Sequence, residues 1–157
     1  GSVTAGNSSG LNDGSAALLL ANESGLSSSG LTPLAQIIST AVVGVEPRIM
    51  GIGPVRASEI ALKRAGITFD DLDVIELNEA FSAQALACIR AWGLDDDDSR
   101  INPNGGGISI GHPLGVTGSR ILLAAARQLE RTGGKYGLVT LCIGVGQGYA
   151  VVIKNTQ

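Results

Sequence analysis

An α/β fold, with a mixed and largely parallel sheet covered by helices, is what this chain predicts. Three observations carry that expectation. Strand-like and helix-like segments alternate along most of the 157 residues, and the chain closes on two strand candidates joined by a glycine-rich link. Hydrophobic residues make up 44% of the chain but aromatics only 3%, so the core must be built from Ala, Val, Ile and Leu. Twenty-three glycines supply tight turns and places where backbones pass closely.

Residues 6–30, GNSSGLNDGSAALLLANESGLSSSG, begin and end in turn formers around a short apolar run at 16–21, whose length fits either a strand or a helix end. The serine-rich stretch 24–30 reads as a linker. After Pro33, LAQIISTAVVGV is rich in β-branched residues and reads as a strand. MGIGPVRASEIALKRAG places Pro54 near a helix start and Gly66 at its end, with Ala57, Ile60, Ala61 and Ala65 on one face. DLDVIELN is short, apolar and bounded, which suits a buried strand.

NEAFSAQALACIRAWG then reads as a helix whose stripe holds Phe81, Ala85, Cys88, Ile89 and Trp92. DDDDSR has no calcium-ligand pattern and reads as a solvated loop. The helix after His112 turns Ile121, Leu122, Ala125 and Leu129 inward and ends at Gly133 and Gly134. YGLVTLCIG and GYAVVIKN read as a strand pair.

The formal net charge of -3 argues against nucleic acid or an anionic membrane as the main partner. Two cysteines, Cys88 and Cys142, make no disulfide framework and lack metal-ligand spacing, so no metal is expected and a reducing, cytoplasmic setting is. No apolar run reaches membrane-spanning length.

Three places can carry chemistry: Asn78 with Glu79, Ala80 and Phe81; His112 between Gly111 and Pro113; and Cys142 ahead of Gly144, Gly146 and Gly148. Each lies where one predicted element hands over to the next, and such positions converge on one crevice in open α/β sheets. An imidazole can polarise a carbonyl or take a proton from a thiol, and an amide can fix a water or donate to an oxyanion. A thiol lowered in pKa by nearby dipoles can exchange a proton with carbon.

Blander roles compete. Asn78 is a good helix cap, and Glu79 suits the first turn of the helix that follows. A lone histidine is often a solvent-facing loop residue, and free cysteine is commonly core. The glycine run at 144–148 is no nucleotide loop, since it lacks the phosphate-loop lysine and leads into a strand.

Together these segments resemble the C-terminal half of thiolases, coenzyme A-dependent acyltransferases that make or cleave 3-oxoacyl thioesters. The resemblance covers essentially the whole chain: VTAGNSSGLNDGSAALLL, MGIGPVRASEIALKRAG, ELNEAF, NPNGGGISIGHPLGVTGSR and LCIGVGQG stand in the family's order. Each segment alone is weak; five in order are specific. The resemblance implies a three-layer α/β/α half with a five-stranded mixed sheet. Residues 1–31 would be the tail end of the N-terminal half and 32–157 the C-terminal domain.

By the same resemblance His112 matches the histidine that activates the nucleophilic cysteine and helps bind the thioester oxygen. Asn78 matches the residue that positions a water for that oxyanion hole. Cys142 matches the second cysteine, which moves the proton at the substrate α-carbon, and the N–H near Gly144 matches a donor of the other oxyanion hole. Ser9 matches a serine beside the pantetheine arm, with Ala80, Phe81 and Met50 near it. Coenzyme A is implied as co-substrate, not as a permanent cofactor. The implied partners are acyl-CoA, the N-terminal half of the same protein, and further copies in a homodimer or homotetramer.

The acyl-accepting cysteine of the family belongs to the N-terminal half, so the chain alone is expected to be inactive. The glycines around His112 would let substrate and that cysteine approach. Gln147 stands where most members carry methionine, and the glutamine form resembles thiolases that cleave 3-oxoadipyl-CoA in aromatic-compound breakdown. Arg48, Arg56 and Arg120 are candidates to face a distal carboxylate. A general acetoacetyl-CoA or 3-ketoacyl-CoA thiolase is the alternative, and a non-catalytic coenzyme A-binding module of the same fold is a third.

Overall fold

The computed structural model describes all 157 residues. Four strands, β1 (Ala35–Gly44), β2 (Val74–Leu77), β3 (Tyr136–Ile143) and β4 (Gln147–Asn155), form one sheet in the order β1-β4-β3-β2. Helices α2 (Gly53–Ala65) and α3 (Ser82–Ala91) cover one face and α5 (Thr117–Thr132) the other, the expected three layers. Two short helices, α1 (Glu23–Ser29) and α4 (Gly107–Ile110), lie in the connections.

Period-two alternation builds both cores from the same strands. Ile75, Leu138, Ala150 and Val152 meet Ala57, Ala61 and Leu62 of α2. Their neighbours Val74, Val139, Val151 and Ile153 meet Ile121, Ala125 and Leu129 of α5. Being buried on both faces, β2 is apolar except at Glu76. Small Ala57 and Ala61, fully buried, let α2 sit close on the sheet.

The sheet departs from expectation in two ways. It has four strands rather than five, because the apolar run at 16–21 forms no regular element: it lies exposed and has no strand to satisfy its backbone. It is also mainly antiparallel. Only β2 and β3 run parallel, while β4 pairs antiparallel with β3 and β1. The free edge of β2 is covered by a single bridge, Ile75 to Ile101. The serine-rich stretch expected as a linker lies largely in α1, capped by Asn22, whose Oδ1 accepts the Gly25 N–H at 2.8 Å.

Helices α2, α3 and α5 fall where the apolar periodicity placed them, and α2 and α5 end on left-handed Gly66 and Gly133. The glycine-rich link between β3 and β4 is three residues, 144–146, so Gln147 and Gly148 already belong to β4. No helix is long and apolar enough to cross a membrane.

Candidate active site

The parallel pair sets the site's floor. Leu77, the last residue of β2, is registered with Thr140 of β3, and Asn78 N–H donates to Thr140 O at 3.0 Å. Asn78, just past β2, and Cys142, one residue before the end of β3, therefore stand at the same end of the sheet on adjacent strands. Asn78 does not cap α3, which starts only at Ser82 with Phe81 at the cap position. Its side chain is 1% exposed and turns to the imidazole, with Nδ2 3.4 Å from His112 Nε2. Its Oδ1 is buried without a protein partner.

His112 is held from three directions. Its backbone N–H meets Gly10 O at 3.3 Å and Asn12 Oδ1 at 3.1 Å, and Leu11 bridges to it in parallel. Its ring Nδ1 lies 2.7 Å from Thr117 Oγ1, at the first turn of α5. The Thr117 hydroxyl donates to Pro113 O at 3.1 Å, so it accepts from Nδ1–H. That tautomer leaves the Nε2 lone pair facing Asn78 and the cleft. Burial, and then the Arg120 cation, push the imidazole below its ordinary pKa, which keeps it uncharged near neutrality.

The segment at 8–12 joins the two halves of the site. Ser9 N–H and Oγ–H both donate to Ala80 O, at 3.0 and 3.2 Å, and Ser8 bridges to Phe81. Ser9, Ala80 and Phe81 are thus one surface beside Asn78. Met50 stands half-buried in a 3-10 turn (Pro47–Ile52) that packs on α3 and on the ends of β3 and β4.

Cys142 is 9% exposed, and burial pushes its thiol up, so it rests protonated. Desolvation outweighs the nearby backbone hydrogen bond, which alone would lower it. Of the three glycines after it, only Gly144 is open. Gly146, at φ +88°, packs on Val45 and Pro47, and Gly148 packs on Gly53 of α2. Between Gly144 and Gly146, Val145 holds φ +60° with its side chain 81% exposed, a strained conformation for a β-branched residue. Cys88 is core, as expected, and burial raises its thiol to about 11.

The glycines before His112 also answer to contacts within the chain. A methyl on Gly106 would overlap the Glu79 carboxyl group, and one on Gly107 would stand 3.0 Å from Asn78 Oδ1. One on Gly111, at φ +97°, would sit 2.6 Å from Asn12 Oδ1. They make room for the protein's own side chains. Glu79 likewise serves not the first turn of α3 but the start of α4, accepting Ile108 N–H at 3.2 Å.

Sequence reasoning passed over Asn12, Asn102 and Thr117 as parts of this site, and gave Glu79 only its place beside Asn78. No spacing marks Asn12 and Asn102, whose partners are far away along the chain, whereas Thr117 lies only five residues from His112. Of the three candidate arginines, Arg48 pairs with Glu46 at 2.7 Å and Arg56 with Glu59 at 3.5 Å. Arg120 has buried Nε and Nη2 atoms without a partner. No cluster of His, Cys, Asp or Glu is arranged to hold a metal.

Residues 31–155 match the family described as thiolase, C-terminal domain. The chain belongs to that family. This thiolase chain is 56% identical over 155 residues to the 3-oxoadipyl-CoA/3-oxo-5,6-dehydrosuberyl-CoA thiolase of Escherichia coli K12, covering 99% of itself and 39% of that protein. It is 57% identical, with the same coverage, to the beta-ketoadipyl-CoA thiolase of Acinetobacter baylyi. Its structure superposes on human mitochondrial 3-ketoacyl-CoA thiolase, solved in complex with CoA, with a TM-score of 0.95 at 50% identity. There too it covers 99% of itself and 39% of that chain. The thiolase chain spans about two fifths of the length of these relatives.

Proposed function

We propose that these residues form the C-terminal part of an acyltransferase that cleaves 3-oxoadipyl-CoA with CoA to succinyl-CoA and acetyl-CoA. The observation that carries the reading is the His112–Asn78 contact, with the ring tautomer set by Thr117. It supplies a neutral base beside an amide at the end of the sheet where Cys142 lies, among the last residues of β3.

In this reading His112 Nε2 takes the proton of a thiol contributed by the N-terminal half. The thiolate attacks the 3-keto carbon, and the C2–C3 bond breaks with its electron pair passing to C2. Protonated Cys142 gives its proton to that carbanion, releasing acetyl-CoA. Coenzyme A, its thiol deprotonated by the Cys142 thiolate, then attacks the acyl-enzyme; succinyl-CoA leaves, and the nucleophile returns to its resting state by taking the proton from His112. The open backbone at Gly144 suits an oxyanion donor, and the unpartnered Asn78 Oδ1 suits a water that donates to the other oxygen.

Ser9, Ala80 and Phe81 form one continuous surface that suits the pantetheine arm, with Met50 near the ends of β3 and β4. With no acyl-accepting cysteine here, the 157 residues alone would not turn over. The parent protein would be a cytoplasmic homodimer or homotetramer, with 1–31 closing the N-terminal half and 32–157 forming the C-terminal domain.

The Gln147 form and relatives named for 3-oxoadipyl-CoA and beta-ketoadipyl-CoA favour the six-carbon dicarboxylic substrate. The likeness to the human 3-ketoacyl-CoA thiolase favours a broader second reading. The kcat/KM of the complete protein for 3-oxoadipyl-CoA against acetoacetyl-CoA separates them. A preference of about tenfold or more for the longer thioester is expected; a preference for acetoacetyl-CoA establishes the second.

A further inference from the structure

The carboxylate next to Asn78 joins two parts of the site that are distant in sequence. Glu79 Oε1 accepts from Asn102 Nδ2 at 2.8 Å, and Oε2 accepts from the Ile108 N–H at 3.2 Å. Asn102 is itself pinned to the end of β2. Its Oδ1 accepts from Leu77 N–H and its Nδ2 donates to Leu77 O, both at 2.9 Å. It does so from φ +45°, a left-handed conformation that asparagine tolerates better than most side chains.

Gly106 packs against the Glu79 carboxyl group and Gly107 against the Glu79 carbonyl and Asn78 Oδ1. Strand end, Asn102 and the loop at 105–108 thus close a ring around one carboxylate. That segment runs into α4, which ends at Ile110 and leads directly to Gly111 and His112.

We propose that Glu79 is a positioning residue that locks the strand end carrying Asn78 to the loop carrying His112, and so sets the distance between amide and imidazole. It touches neither substrate nor reacting atoms. Two donors on one carboxylate fix its orientation, and the glycines leave the loop no side chain that could prop it open. This rests on the thiolase reading only for its consequence in catalysis.

The test substitutes Glu79→Gln, which preserves size but turns an NH2 group against one of the two donors. In the 15N-labelled chain, amide exchange at Ile108 is expected to accelerate about tenfold or more. The NOE between the Asn78 carboxamide and the His112 ring is expected to vanish, while exchange at Leu138 and Val152 stays as in the parent. A residue serving only overall stability would raise exchange at all three sites and leave that NOE in place.

Should Glu79→Gln not fold, Asn102→Gly keeps the positive φ, removes the bridging amide and is expected to lose the same contact. In the complete protein Glu79→Gln is expected to lower kcat about tenfold or more with KM within about twofold. An unchanged NOE with Ile108 still protected overturns the brace. Absence of thioester cleavage by the complete parent protein overturns the functional reading instead, and the NMR result stands apart from it.

Discussion

His112 Nδ1 lies 2.7 Å from Thr117 Oγ1, so the first turn of α5 decides which ring nitrogen carries the proton. Thr117 is fully buried and its own hydrogen goes to Pro113 O, which leaves its oxygen only an acceptor role. Thr117→Val keeps the shape and removes the acceptor. In the complete protein kcat/KM is expected to fall about tenfold, the size of one lost buried hydrogen bond. The 15N shifts of the ring should show a mixed tautomer; an unchanged tautomer contradicts this assignment.

Arg120 acts on the same ring through space. Burial is the larger cause of the lowered His112 pKa, and the Arg120 cation adds to it. Arg120→Gln is expected to raise the proton affinity of the imidazole, while Arg120→Lys keeps it low. Because the chain has one histidine, a single proton NMR signal reports the titration without assignment. Equal midpoints in parent and Arg120→Gln rule the charge effect out.

Glu76 gives the fold a pH signature of the opposite sense. Burial raises its carboxyl to about 7 from an ordinary 4.5, against the pull of Arg120 and with help from Glu79. The folded state therefore holds this proton more tightly than the unfolded chain. Its contribution is fully present below pH 4.5 and is lost as pH rises through 7. His112 works the other way: with its folded pKa lowered, its contribution is present above pH 6.5 and lost as pH falls through the folded value.

Glu76→Gln is expected to match the parent at pH 4 and to gain on the order of 3 kcal/mol at pH 8. Urea unfolding at the two pH values measures it. Equal gains at both would show that the carboxyl does not stay protonated in the fold.

Local pattern carried most of the architecture. The stripes of α2 and α5 and the apolar run of β2 were legible because 3.6- and 2-residue periods are local properties. Strand pairing was not. Whether residues 16–21 form a strand depends on a neighbour, and nothing in those residues states that none is available within the chain. His112 and Asn78 stood out as candidates and the fold brings them into contact, but the intrachain contacts of the glycines beside them were not legible. Gly106 and Gly111 answer to Glu79 and Asn12, contacts made across 27 and 99 positions. The burial that raises the Cys142 thiol at the end of β3 is invisible in the motif.

Gly148 provides a stability test at the same edge. It faces the backbone of Gly53 so closely that an added methyl would overlap it. Gly148→Ala is expected to cost about 1–3 kcal/mol, whereas Gly144→Ala, with nothing within 4 Å, should change unfolding little. Equal costs would show that the two glycines share one role.

The most direct test of the acyl-transfer account is CoA-dependent cleavage of 3-oxoadipyl-CoA, followed by loss of the enolate absorbance. It compares the 157 residues alone, the complete protein, and the complete protein carrying His112→Ala or Cys142→Ser. The account requires no turnover from the chain alone, turnover from the complete protein, and a loss of about 100-fold or more in each variant. Thiolysis by the isolated chain, or full activity without the imidazole or the thiol, would contradict it.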